Sequence, residues 1–318
     1  MIYALLFVVL LVVELFYFKI ADTYNIIDKP NSRSSHSKIT LRGGGVIFPI
    51  AVLLSCFLGY VSIAVTIAIL LVALVSFIDD IKPLSQLPRI LVQTIAVVLV
   101  FWDLGMFQDM IWLFPVVFVF LVGWVNCFNF MDGINGITVL YALVTIASFA
   151  CLKTNQPNLE LLITMMLSCI VFGIFNVRKS AKAFAGDVGS ISMAIFLGYF
   201  MLKTLVETNQ LGYILFFLVY STDSVLTIVQ RISKKENIFE PHRSHLYQYL
   251  VNELKYPHVA VASGYAILQL LINALLIFLD SRGMLSLTVT FILIGISAVT
   301  YFSVKKSIEK TIALKQLQ

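Results

Sequence analysis

Charged side chains are scarce in this sequence, and their scarcity excludes a soluble globular protein. Lys, Arg, Asp and Glu make up 12% of the 318 residues, whereas 60% of the residues are hydrophobic. The mean hydropathy is +0.96, and soluble domains carry about 25% charged residues. The chain is therefore predicted to be an integral membrane protein whose solvent is the bilayer.

Cysteine and histidine are also few, with four of each. The cysteines have no metal or disulfide spacing, which indicates inert packing residues, and so few histidines make a zinc site improbable. The net charge of +5 is not gathered in a basic soluble domain, so it indicates contact with the inner leaflet and no nucleic-acid partner. We find no linker or internal repeat, and we therefore predict a single membrane domain over residues 1–318.

Long apolar runs are what the sequence has in abundance. A spanning helix needs about 20 mainly apolar residues, and runs of roughly this length recur along the chain. The fold class predicted is all-α and polytopic, with about eleven transmembrane helices. The predicted spans are Ile2–Phe18, Gly44–Tyr60, Ile63–Ile78, Ile90–Phe107, Ile111–Val125, Ile137–Leu152, Leu159–Phe175, Gly189–Leu205, Gly212–Val229, Val259–Leu279 and Leu285–Val304.

The basic residues are distributed unevenly between alternate loops. One set of loops holds 19 of the 22 Lys and Arg residues, and the other set holds Lys153, Lys203 and Arg282. Because positively charged short loops stay in the cytoplasm, the first set is predicted to be cytoplasmic. The N-terminus is then outside and the C-terminus inside, which an odd number of spans requires.

Four groups of polar residues interrupt the apolar chain, all on the predicted cytoplasmic side. They are Asp79-Asp80, Asn126 to Asp132, Gly186-Asp187 and His242 to His245. Carboxylates, amides and histidines at one surface of a multi-span protein indicate a place where a charged soluble substrate meets a molecule held in the bilayer. This arrangement favours an enzyme, with its active site on the cytoplasmic face.

The first two groups each allow a functional and a structural interpretation. Asp79 and Asp80 end the third span, where they either bind a cation or lie in headgroup water. Asn129 and Asp132 belong to a stretch with Gly133 and Gly136, which we predict to be a loop. Its amides could hold sugar or phosphate oxygens, but Asn and Gly are also common in ordinary turns.

The last two groups are equally open. Asp187, at the predicted start of the eighth span, could cap that helix or coordinate Mg²⁺ beside a phosphate, and the Phe184 ring could stack on a nucleobase. His242, Arg243 and His245 could bind phosphate, since Arg pairs with phosphate oxygens, or simply follow the positive-inside bias. They lie in a long polar segment, residues 230–258, which we predict to be a recognition loop.

Together the four groups resemble, in order and spacing, the polyprenyl-phosphate N-acetylhexosamine-1-phosphate transferases of the WecA/MraY type. The resemblance covers nearly the whole chain. The family pattern DDxxxLxxxxRLxxQ resembles the stretch with Asp79, Asp80, Leu84, Arg89, Ile90 and Gln93. The pattern NxxNxxDGxxG resembles the stretch with Asn126, Asn129, Asp132, Gly133 and Gly136. The pattern GDxGS is matched by residues 186–190. Residues 28–33, His36 and Arg42-Gly43-Gly44 resemble the family's first cytoplasmic loop.

One motif departs from the family. The family usually ends its last loop with DRxHLHH or three histidines, whereas this chain has His242-Arg243-Ser244-His245-Leu246-Tyr247-Gln248. Arg243, His245 and Leu246 are retained, so the roles of the two missing histidines are not carried over. This ending and the short length most resemble the WbpL-like subgroup that initiates O-antigen units, which makes a deoxy-sugar donor as plausible as UDP-GlcNAc.

The resemblance implies transfer of a sugar-1-phosphate from a UDP-N-acetylhexosamine to undecaprenyl phosphate at the bacterial inner membrane, with release of UMP. Mg²⁺, with Mn²⁺ as a possible substitute, is the implied cofactor, and a homodimer is left open. Asp187 is predicted to be the main metal ligand, supported by Asp79 or Asp80. The residues predicted to be catalytic are Asp79, Asp80, Asp132 and His245. Those predicted to bind substrate are Asn129, Asn176, Phe184, Arg243, His242 and Arg89.

Other classes of protein compete with this hypothesis. A transporter suits a polytopic chain, although transporters usually bind substrate near the midplane, where Glu14 is the clearest acid. A degenerate, non-catalytic relative of the transferases is the second alternative. An intramembrane aspartyl protease is weaker, because Asp187 would need a paired Asp buried within another span.

Overall fold

The computed structural model describes residues 1–30, 35, 38–237 and 242–316. Arg33 and His36, which belong to the predicted first-loop pattern, lie outside the described residues. The described helices are α1 (Ile2–Thr23), α2 (Ile47–Phe57), α3 (Ile63–Ile81), α4 (Gln86–Asp103), α5 (Met106–Asp109), α6 (Phe114–Phe130), α7 (Ile137–Ala150), α8 (Leu159–Asn176), α9 (Gly186–Thr208), α10 (Leu218–Ser233), α11 (Leu246–Gln248), α12 (His258–Ser281) and α13 (Leu287–Gln316). Strands β1 (Ile27–Asp28) and β2 (Thr40–Leu41) form a small antiparallel sheet.

The all-α polytopic fold class is confirmed. Within the described ranges, nine helices are long and apolar enough to cross a membrane. Two shorter apolar helices, Gly44–Phe57 and Ile137–Ala150, occupy the positions of two further predicted spans. The count of eleven spans and the orientation in the membrane stay predictions.

Helix α9 is the centre of the bundle. In its apolar 18-residue stretch 89% of the residues are buried, whereas the buried share is at most 61% in the other candidate spans of the described chain. It packs against α2, α3, α6 and α7. Any group held at the first turn of α9 is therefore surrounded by several helix ends.

The predicted ninth span, Gly212–Val229, does not begin as an α-helix. Residues Leu211–Phe217 form a 3₁₀ segment before α10, which leaves backbone groups that the apolar surroundings cannot hydrate. Gln269 of α12 satisfies two of them: its amide nitrogen donates to the Leu215 carbonyl at 2.9 Å, and its carbonyl oxygen accepts from the Val219 N–H at 2.9 Å. This side chain therefore stabilises the irregular segment.

The segment after β2 is tied to the start of α9 by backbone hydrogen bonds. The Phe184 N–H donates to Leu41 O at 2.8 Å, and the Gly44 and Gly45 N–H groups donate to Phe184 O and Ala185 O at 2.9 and 3.0 Å. The two backbones touch at glycines, since a Cβ built on Gly45 would lie 2.3 Å from Gly189 Cα. Only glycine fits this contact.

We expect Gly45→Ala to destabilise the protein by about 1–3 kcal/mol, because the new methyl group would collide with backbone that cannot move aside. The measurement is the thermal unfolding temperature of detergent-solubilised protein. Gly264→Ala in α12 is the matched control, since a Cβ there meets no atom within 4 Å. Equal unfolding temperatures for the two variants would contradict the predicted contact.

Candidate active site

Asp80 lies in the last turn of α3 and caps the N-terminus of α9. Its Oδ1 accepts the Asp187 N–H at 2.9 Å, and its Oδ2 accepts the Val188 N–H at 3.0 Å. Arg42 Nε donates to Oδ1 at 2.7 Å. The first N–H groups of a helix lack partners within that helix, so this carboxylate satisfies them from another helix. The Asp187 side chain therefore does not cap its own helix, and that structural interpretation is wrong.

Asp187 itself is free of hydrogen bonds to the helix start and lies between two guanidinium groups. Arg42 and Arg89 approach its two carboxylate oxygens at 3.7 and 3.6 Å. Arg89 also lies 3.3 Å from Asp79 Oδ2, and Asp79 Oδ1 accepts the Leu84 N–H at 2.5 Å. The predicted residues Asp79, Asp80, Asp187 and Arg89 are thus brought together. The network places opposite charges where acids alone would repel each other.

The second polar group is partly helical, which corrects the predicted loop. Helix α6 continues to Phe130, so Asn126 and Asn129 lie on its last turns, and only Asp132 lies beyond it. Asn129 Oδ1 accepts the Ser190 hydroxyl of α9 at 2.6 Å. Asp132 accepts a hydrogen bond from Thr138, and burial, together with the nearby Asp187 and Asp80, raises the pKa of Asp132 to about 7.

Asn176 and Phe184 also lie at this site. Asn176 Oδ1 accepts the Gly136 N–H at 2.7 Å, and its Nδ2 donates to Ala183 O at 2.9 Å. Both ends of this amide therefore hold protein backbone, which gives Asn176 a loop-positioning role. Phe184 lies in the segment hydrogen-bonded to β2 and is half-buried at the site.

The histidines of the last loop approach the same region. The His242 and His245 ring centroids lie 4.8 Å apart, and His245 is 2% exposed. Burial, with His245 and Arg231 nearby, lowers the pKa of His242 to about 4, so its ring is neutral near pH 7. Arg243 is part of the same loop but, within the described ranges, lines neither of the two cavities defined next.

We call the first of these cavities the loop cavity. It measures about 460 Å³. Polar and charged side chains dominate its wall. It is lined by Asp28, Ser35, Arg42, Asn129, Asp132, Gly133, Ile134, Asn135, Asn176, Phe184, Ala185, Gly186, Asp187, His242, Gln248 and His258.

The second, the helix cavity, lies against α4, α6 and α10. It measures about 790 Å³ and has apolar as well as charged lining. It is lined by Arg42, Gln86, Arg89, Ile90, Gln93, Val122, Asn126, Asn129, Phe130, Asp187, Ile228, His242, His245 and Gln248. Five residues line both cavities: Arg42, Asn129, Asp187, His242 and Gln248. The two cavities therefore meet at Asp187.

A divalent cation is compatible with this arrangement of donors. Among the described residues no group of three or more His, Cys, Asp or Glu side chains is placed to hold a metal ion. Mg²⁺, however, is commonly bound through one or two carboxylates together with substrate phosphates and water. Asp187 supplies a carboxylate of that kind at the meeting point of the cavities, and Asp79 lies on the other side of Arg89.

Two residues at this meeting point were not predicted to be functional. Arg42 matched the first-loop pattern, and its guanidinium contacts Asp80 and Asp187. Gln248 appeared only as a departure from the family motif, yet it lines both cavities. The Arg-Gly-Gly sequence was the available signal for Arg42, because it combines a cation with small residues that permit close packing.

Comparison with known proteins agrees with this geometry. The sequence model of glycosyl transferase family 4 matches residues 62–205. A probable undecaprenyl-phosphate N-acetylglucosaminyl 1-phosphate transferase of Bacillus subtilis is 23% identical over 73% of this chain and 72% of its own length.

Phospho-N-acetylmuramoyl-pentapeptide-transferases also match over shorter regions. That of Streptococcus suis is 33% identical over 29% of each chain. That of Streptococcus thermophilus is 32% identical over 40% of this chain and 36% of its own length. The chain thus spans about a third of the length of these two relatives.

The family match covers the segment that contains Asp79, Asp132 and Asp187. Asp132 and Asp187 line the loop cavity, and Arg89 links Asp187 to Asp79. The chain is similar in sequence to polyprenyl-phosphate sugar-1-phosphate transferases of the WecA/MraY type.

Proposed function

We propose that this protein transfers a HexNAc-1-phosphate from a UDP-sugar to undecaprenyl phosphate, releasing UMP. The product would be the first lipid-linked intermediate of O-antigen or another cell-envelope polysaccharide, made at the cytoplasmic face of a bacterial inner membrane. One observation carries the proposal: a polar cavity and a partly apolar cavity meet at Asp187. A soluble donor and a lipid acceptor need such a pair.

The loop cavity suits the nucleotide sugar. It offers an aromatic ring at Phe184, backbone at Gly133 and Gly186, and the amide of Asn135. A uracil ring can stack on an aromatic side chain, with about 1–3 kcal/mol per base, and hydroxyl and amide groups of a sugar need hydrogen-bonding partners. The name of the Bacillus relative favours GlcNAc as the first donor to test, beside a deoxy-HexNAc.

The helix cavity suits the lipid phosphate. Its wall contains the apolar residues Ile90, Val122 and Phe130 together with the guanidinium of Arg89. Ile90 and Phe130 are 47% and 40% exposed, so the apolar wall reaches the surface of the helix bundle. A prenyl chain can therefore lie against it while the phosphate meets the cations.

The reaction joins the two substrates at the phosphorus attached to the sugar. An oxygen of the acceptor phosphate forms a bond to this phosphorus, and the bond from phosphorus to the UMP oxygen breaks, so that UMP takes the electron pair. A phosphate monoester has a second pKa of about 6, so the acceptor is already largely a dianion at neutral pH and needs no strong base. The residues chiefly position phosphates and balance charge.

The chain's own residues have distinct parts in this scheme. Arg42 and Arg89 contact phosphate oxygens from either side of Asp187, and Asp80 holds Arg42 and the start of α9 in place. Bound Mg²⁺ would offset the negative charge of the diphosphate, and Asp187 and Asp79 are the carboxylates we assign to it. Asp80 is engaged by three donors. Asp79, which contacts Arg89 but is not among the residues that line the two cavities, is therefore the adjacent acid that we assign to supporting the metal.

The first test is lipid-dependent release of UMP by purified protein given Mg²⁺, undecaprenyl phosphate and a panel of UDP-N-acetyl sugars. We expect Asp187→Asn to reduce the Mg²⁺-dependent kcat by at least about a hundredfold while the protein still inserts and accumulates. Asp109→Asn, which changes an exposed acid in α5, is the matched control and should retain activity. Full activity of Asp187→Asn would contradict the assignment of Asp187 as a metal ligand.

A second pair of substitutions separates the two cavities, because Phe184 lines only the loop cavity and Arg89 only the helix cavity. We expect Phe184→Ala to raise the KM for the UDP-sugar about tenfold, with little change in the KM for the lipid. Arg89→Gln should raise the lipid KM about tenfold or more, because a charge-assisted hydrogen bond is lost. Steady-state kinetics with each substrate varied in turn measures the two KM values. If Phe184→Ala raised the lipid KM and Arg89→Gln raised the UDP-sugar KM, the substrates assigned to the two cavities would have to be exchanged.

A further inference from the structure

His245 is held against a buried carboxylate that belongs to none of the family patterns matched above. Asp223, in α10, is 2% exposed. Its Oδ1 lies 3.5 Å from His245 Nδ1 and accepts the Leu246 N–H at 2.9 Å. Oδ2 accepts the Tyr265 hydroxyl of α12 at 2.7 Å. The carboxylate thus contacts both the ring of His245 and the backbone that follows it.

The residue before His245 is held as well. Lys305 of α13 donates from Nζ to the Ser244 carbonyl at 2.7 Å and to the Tyr301 hydroxyl at 2.9 Å. The Tyr301 hydroxyl in turn lies 3.3 Å from Asp223 Oδ1. Groups from α10, α12 and α13 therefore fix the backbone on both sides of His245, although the loop itself has little regular structure.

This arrangement constrains which ring nitrogen of His245 is available to substrate. The Nδ1 atom is fully buried and makes no hydrogen bond of ordinary length among the described residues. Because the acceptor-only carboxylate of Asp223 lies 3.5 Å from it, a proton on Nδ1 is favoured there over a lone pair. His245 nevertheless contributes to the lining of the helix cavity. Nε2 is then the nitrogen left for a ligand, as in other sites where a carboxylate fixes the tautomer of a histidine.

We propose that Asp223 is a positioning residue for His245: it holds the proton on Nδ1 and leaves Nε2 to contact the phosphate of the acceptor in the helix cavity. The inference rests on the proposed function for the identity of that phosphate. It does not require Asp223 to touch substrate.

The first test does not depend on turnover. Protein labelled with ¹⁵N-histidine contains four histidines, and His245→Gln assigns the signals of His245. At pH 8 we expect His245 to carry its proton on Nδ1. In Asp223→Asn we expect a shift toward the Nε2–H form, because a neutral amide oxygen stabilises a proton on Nδ1 less than a carboxylate does. A wild-type ring with an unprotonated Nδ1 would overturn the proposal.

The second test is a double-mutant cycle with Asp223→Asn and His245→Gln. The Asn side chain keeps an acceptor for the Leu246 N–H but loses the charge. We expect a fall in kcat of about tenfold to a hundredfold for Asp223→Asn, as for a misplaced catalytic group, with the KM for the UDP-sugar changed less than about threefold. In the double variant kcat should fall no further than in His245→Gln, because the two residues act as a unit.

Asp280→Asn is the matched control, since Asp280 also accepts a tyrosine hydroxyl, that of Tyr213, at 2.7 Å but lies at the far end of α12. It should leave kcat unchanged. Losses that multiply in the double variant would show that Asp223 acts independently of His245 and would overturn the positioning role. Absence of lipid-dependent UMP release by wild-type protein would instead defeat the proposed function, and the NMR measurement would still decide the position of the proton.

Discussion

The cap that Asp80 provides for α9 is the interaction on which the rest of the site depends. Ala185, which precedes α9, has no side chain that can cap it, and unsatisfied N–H groups are costly in an apolar bundle. Asp80 supplies the acceptors from α3 and holds Arg42 with the same carboxylate. Three segments far apart in the sequence are thereby fixed around one point, and Asp187 next to it stays available.

The departure of the last loop from the family motif has a structural account in the same terms. Tyr247 fills the space over Gly133, where a Cβ would lie 2.2 Å from its hydroxyl oxygen, and this hydroxyl donates to Phe130 O at 2.9 Å. Gln248 Oε1 accepts the His245 N–H at 3.2 Å. Tyr247 therefore holds the loop against the end of α6, and Gln248 holds two parts of the loop together. His245, which the motif retains, is the residue that these contacts and Asp223 hold at the helix cavity.

Much of this could be predicted from the sequence because apolar runs and short motifs are local signals. The all-α polytopic fold, and the gathering of Asp79, Asp132 and Asp187 at one end of the bundle, followed from them. The helical position of Asn126 and Asn129 was missed because amides and glycines predict a turn, whereas packing against α9 continues the helix. The roles of Arg42, Asp80 and Asp223 were not predictable, since each depends on a partner brought near only by the tertiary fold.

The balance of charge at the meeting point of the cavities limits what can bind there. Asp79, Asp80, Asp132 and Asp187 lie around two guanidinium groups, those of Arg42 and Arg89. Burial raises the pKa of both Asp132 and Asp187 to about 7, so these two acids are only partly ionised near pH 7, yet the four acids still outnumber the two cations. A diphosphate and a phosphate monoester would add further negative charge at the same place. We therefore propose that a cation enters with the substrates. This charge balance is the physical reason for assigning a divalent metal to Asp187 and for expecting its ligands to be shared with the substrate.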